Sequence, residues 1–134
     1  MANREYSSMS GVVEIWENSR DLTAQERRWL ELVLSGDSPS LDPYKEQAKK
    51  VIAMGRCTCG CRTIELGFRT IEGLPKGAPG DFVLGEAVIE TDNGEISVLL
   101  HSGGGLMTEL EVIFDHGVEA FPLQYEEKTV RLFY

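Results

Sequence analysis

Three cysteines fall at every second position in GRCTCGCRTIEL: Cys57, Cys59 and Cys61. Thiols this close together can bind a soft metal, exchange as disulfides, or fill a tight corner of a core as small neutral groups. A tetrahedral zinc site would need a fourth ligand, and the chain holds two histidines, His101 and His116. The metal alternative is therefore zinc on Cys57, Cys59, Cys61 and His101. The spacing argues against it, because structural zinc sites use C-x₂₋₄-C pairs with a second pair elsewhere, whereas C-x-C-x-C on an extended strand points all three side chains one way. Packing is the preferred reading, with no cofactor. An odd number of closely spaced cysteines is no disulfide framework, and a thiol nucleophile would want a base beside it, which neither histidine supplies in sequence.

Other segments imitate sites without their full complement. The glycines of SGGG lack the helix and lysine of a phosphate loop and sit between two alternating strands, which marks a hairpin turn. Asp115-His116-Gly117 could be read as acid–base or metal chemistry, yet a turn after a strand prefers the same residue types. Trp16 and Trp29 read as core or staple residues rather than stacking platforms. No catalytic constellation is assembled, so the chain is expected to be a non-enzymatic binding protein.

Charge supplies the stronger functional signal. Residues 1–56 carry nine acids and eight bases, while residues 57–134 carry thirteen acids and five bases, out of a net charge of −9. Between Lys76 and Lys128 there is no Lys or Arg, against eleven acids. Such a field repels phosphate backbones and anionic lipid and attracts a basic protein surface. Nucleic acid and membrane are therefore not expected as partners.

The elements that must position these residues follow from periodicity. The first ten residues are polar, small and aperiodic, which reads as a flexible end to a single domain over 1–134. GVVEIWE is a possible edge strand. Thr23 with Glu26 three residues on forms a capping box before AQERRWLELVLSG, whose Leu22, Trp29, Leu30, Val33 and Leu34 recur at helical spacing up to Gly36. Asp42 and Pro43 can open a second helix running to about Lys49 or Lys50. VIAMGRC and CRTIELGFRTI then alternate as strands around Thr58-Cys59-Gly60, and GLPKGAPGD is a surface loop. FVLGEAVIET, EISVLLH and LMTELEVIF follow as strands, with VRLFY a possible last one. Placing Leu100 opposite Leu106 keeps the apolar sets on one face and brings Glu95 near Glu111 and Ser97 near Glu109. Like charges opposed across strands cost stability unless solvent or a basic ligand meets them.

The order DLTAQER, GRCTCGC, LMTELEVI resembles a group of small uncharacterised bacterial proteins sharing a GRC-x-CGC motif, over about residues 21–114. That resemblance implies a fold more than an activity. In size and charge alone the chain is also similar to immunity proteins that neutralise bacterial toxins. The expectation is an α+β fold, with an N-terminal helical pair packed on a mainly antiparallel sheet of about four to six strands. It is expected to be cytoplasmic, with no apolar run long enough to span a bilayer and no secretory leader. Its expected site is an acidic sheet face, Glu95, Glu109, Glu111 and Asp115, presented to a basic protein partner such as a toxin domain.

Overall fold

The computed structural model describes residues 5–8, 11–57, 62–115 and 125–134. The fold is α+β: two short helices lie on one face of an antiparallel sheet whose strands run in the order β1-β2-β3-β4-β7-β6-β5-β8. In chain order these are β1 (Glu5–Ser8), β2 (Gly11–Arg20), α1 (Ala24–Val33), a 3₁₀ turn (Pro39–Leu41), α2 (Asp42–Gln47), β3 (Ile52–Cys57), β4 (Ile64–Gly67), β5 (Asp81–Thr91), β6 (Gly94–Gly103), β7 (Leu106–Phe114) and β8 (Thr129–Phe133). Among the described residues the strands number eight, above the expected four to six. Part of the difference lies at the N-terminus, where β1 occupies a segment that reads as a frayed end and places β2 inside the sheet rather than at its edge. Among the described residues no helix is long and apolar enough to cross a membrane.

Helix α1 begins as its sequence dictates. Thr23 Oγ1 accepts from the Glu26 amide at 3.1 Å and the Glu26 carboxylate accepts from the Thr23 amide at 2.9 Å, so two of the amides left over at a helix start find partners. The second helix departs from expectation, because Asp42 is its first residue rather than its cap and it ends at Gln47. Ser38 instead caps the 3₁₀ turn that Pro39 opens.

The core lies between the helices and one face of the sheet. Trp29, Leu30 and Val33 of α1 meet Ala87 and Ile89 of β5 and Ile96, Val98 and Leu100 of β6, all 1% exposed or less. Trp29 also donates from Nε1 to Tyr125 Oη at 2.7 Å. Gln47, wholly buried, donates from Nε2 to the carbonyls of Pro75 and Gly105 and accepts from the Met107 amide, which ties α2 to the β6–β7 turn. At the far end Tyr134 donates from Oη to Val33 O and accepts from the Gly36 amide, so the chain terminus is fastened to the end of α1.

The β6–β7 register differs from the one expected. Leu100 faces Leu110, not Leu106, and Ile96 faces Phe114. Gly104 and Gly105, with φ of +61° and +84°, make the turn alone, which lets both strands run to their ends, and a bulge lies between His101 and Ser102. The slip is four residues, an even number, so Glu109 to Phe114 keep their faces while each acquires a new neighbour. The bulge leaves Thr108 extra and turns Met107, 1% exposed, into the core, while Leu106 is only half-buried.

Candidate functional site

Strand alternation divides the sheet into a face that meets the helices and an open face. Along β7 the open-face positions are Glu109, Glu111, Ile113 and then Asp115 just beyond the strand; beside them on β6 lie Glu95, Ser97, Leu99 and His101. The four acids expected to form the site thus share one face. Their cross-strand neighbours are new. Glu109 faces His101 on β6 and Glu65 on β4, Glu111 faces Leu99, and Ser97 faces Ile113. Glu95 takes the Asp115 amide on its carbonyl at 3.0 Å and lies opposite Glu90 of β5.

These carboxylates are not equivalent. Glu111 is 7% exposed and its Oε1 lies 2.8 Å from His101 Nε2, so it contributes charge to the face more than a point of contact. Glu109 is half-buried and Asp115 exposed. Glu95 accepts from Arg131 of β8 at 2.8 Å, a surface pair worth little to stability that a competing cation can exchange. Glu65, opposite Glu109, is also 7% exposed. Sequence reasoning passed over it, although the alternation in IELG puts it on the face opposite Ile64 and Leu66. Exposed Ile113, Val83 and Phe133 stand among the acids, and the registers set Val83 opposite His101 and Phe133 opposite Glu86. A shallow cavity of about 480 Å³, lined by Glu65, Val83, His101, Thr108 and Glu109 among others, opens on this face.

The nitrogen of His101 and carboxylate oxygens of Glu109 and Glu111 lie within 4.8 Å of one another, and they are the metal-capable group among the described residues. Such a set of one imidazole and two carboxylates suits a borderline or hard divalent ion. Cys57 lies elsewhere. It is 2% exposed, on β3, and β4 and β7 separate it from His101 on β6, which is three strand spacings or roughly 14 Å. The amide of Cys57 donates to Thr63 O at 3.2 Å. Cys59, Cys61 and His116, with the Thr58-Cys59-Gly60 tip and most of the Asp115-His116-Gly117 turn, lie outside the described residues.

The chain matches no family model, no curated protein and no solved structure. The chemistry of the site therefore rests on its own residues. They supply a negative surface with apolar points on a sheet face that no described helix covers, a form suited to recognising a cationic, partly apolar surface.

Proposed function

We propose that the open face is the docking surface of a non-enzymatic binding protein whose partner is a basic protein. The observation that carries this reading is the direct opposition of carboxylates across strands, Glu65 with Glu109 and Glu90 with Glu95. Opposed like charges cost the folded chain stability. A bound partner that brings arginines or lysines returns that cost as binding energy, while Ile113, Val83 and Phe133 supply apolar area to bury. The most concrete form is an immunity-type inhibitor of a bacterial nuclease toxin, since a nuclease carries a cationic cleft for phosphate and an acidic sheet can occupy it.

The experiment is a titration against the purified nuclease domain of any toxin gene found beside this gene. Tight binding that weakens steeply with salt, and that falls at least tenfold in Glu95→Lys and again in Glu109→Lys, is the expected result. A neighbourhood without a toxin gene removes the nuclease form, and binding indifferent to both charge reversals removes the open face as the contact. The alternative, a small zinc-binding protein, has a narrower form in the His101, Glu109 and Glu111 group, with Cys57 set apart from it. Zinc near one per chain in protein purified without added metal would favour that reading.

A further inference from the structure

The acidic character of the chain reverses at one place. Of thirteen basic residues, three line a single cavity of about 390 Å³ on the helix side of the sheet: Arg20 at the end of β2, Arg56 on β3 and Arg62 just before β4. Trp16, Trp29 and Gln25 also line it, and Glu26 is the one carboxylate in it among the described residues. Among the described residues the lining therefore carries three positive charges against one negative, in a protein whose net charge is −9.

The three guanidiniums play different parts. Arg20 is committed. It donates to both oxygens of Glu26 at 2.8 and 2.9 Å and stacks 5.0 Å from the Trp16 ring, so the pair fixes the indole plane. Arg56 makes a long ion pair with Glu14 at 3.9 Å, beyond hydrogen-bonding distance. Arg62 lies 5.1 Å from the Phe114 ring, and no carboxylate among the described residues forms an ion pair with it. A guanidinium resting on an aromatic ring keeps its N–H edge available to fork an oxyanion.

We infer that this cavity binds a small planar anion, its ring stacked against the Trp16–Arg20 layer and its phosphate or carboxylate held by Arg56 and Arg62. The inference goes beyond the docking role of the open face and lies on the other side of the sheet. The volume is that of a pocket for one ring and one charged group, at the lower end of small-molecule sites, which run from about 300 to 1,000 Å³. Clustered arginines repel one another in the empty cavity, and an oxyanion removes that repulsion. Trp16 thus has the role of a wall of a binding site, where its sequence context suggested core packing.

The test uses the full-length protein titrated with adenosine 5′-monophosphate, benzoate and inorganic phosphate, followed by calorimetry and tryptophan fluorescence. Saturable binding of at least one ring-bearing anion, tighter than inorganic phosphate, is expected. It should weaken at least tenfold in Arg62→Gln and in Arg56→Gln and stay unchanged in Arg131→Gln on the open face. Trp16→Phe should remove most of the fluorescence change while calorimetry still detects binding. The tighter of the two ring anions identifies phosphate or carboxylate as the natural group. Absence of saturable binding by either ring anion up to millimolar concentration overturns the inference, as does equal weakening in Arg131→Gln. Inorganic phosphate binding as tightly as both ring anions overturns the stacking role of Trp16. Arg56 is exposed, so Arg56→Gln keeps the test open even if Arg62→Gln fails to fold, with melting temperature as the control.

Discussion

The two faces of the same sheet solve opposite problems. On the covered face Ile96, Val98 and Leu100 of β6 are wholly buried beneath α1, and Gln47, the buried amide of α2, has both ends of its side chain hydrogen-bonded to the backbone. On the open face, one residue over on the same strands, Glu109 stands against Glu65 and Glu90 against Glu95. An antiparallel sheet permits this because its side chains alternate, so a strand can stabilise the fold with one set of residues and leave the other set for recognition. The difference teaches that the positions that stabilise this fold and those left on the open face are interleaved and nearly independent. The largest test is therefore a matched pair. Leu100→Ala should cost about 2–5 kcal/mol, the range for a buried leucine whose cavity relaxes only partly. Ile113→Ala, at a position 49% exposed on the open face, should stay within about 0.5 kcal/mol. Urea unfolding of both variants measures the contrast, and a large loss at Ile113 would mean that the open face is packed in the isolated protein.

The faces were legible in the sequence because period-two alternation survives errors of register. Glu95, Glu109, Glu111 and Asp115 fall on one face whether Leu100 meets Leu106 or Leu110, since the two registers differ by an even number of residues. The neighbours did not survive, because the extent of a hairpin depends on which glycines make the turn. Three adjacent glycines in SGGG left that open until Gly104 and Gly105 took positive φ. The capping box of α1 is local and appears as expected. The arginine cavity was invisible to a linear reading, since Arg20, Arg56 and Arg62 come from three segments that only the β2–β3–β4 pairing brings together. Within GRCTCGC the cysteine among the described residues is Cys57, a buried thiol whose amide bonds to Thr63 just before β4.

A second contrast lies in how each face handles charge. The helix side pairs its buried acid. Burial pushes the Glu26 carboxyl upward, but hydrogen bonds from Arg20 and from Thr23, with the attraction of Arg20, outweigh it and hold the group below the usual carboxylate range. A carboxyl whose folded pKa is depressed binds fewer protons in the native state than in the unfolded one. Its contribution is complete above the unfolded value, about 4.3 for glutamate, and is lost as pH falls through the folded value. Glu26→Gln should accordingly be less stable than the parent by about 1 kcal/mol at neutral pH, from the weakened cap and the lost pair with Arg20. The gap between the two proteins should close as pH drops below about 4. Thermal melts of both from pH 7 to pH 3 give the measurement, and a gap of constant size across that range would show that Glu26 acts as a packed side chain and not as a charge.

The open face should answer the smallest test in the opposite direction. Glu109→Gln keeps the shape of the side chain, keeps an acceptor beside His101 and removes one of the two carboxylates that confront each other across β4 and β7. Relief of a cross-strand like-charge contact is worth about 0.2–1 kcal/mol, so this variant should be slightly more stable than the parent while binding a basic partner less well. Few substitutions on a covered face could raise stability and lower binding together, because a loss of packing there lowers both. The urea midpoint needs to be read alongside the affinity, since each alone has several causes. If Glu109→Gln instead loses stability, the carboxylate is holding His101 or a cation in place, and the open face is then a structural feature of the fold rather than a surface kept unstable for a partner.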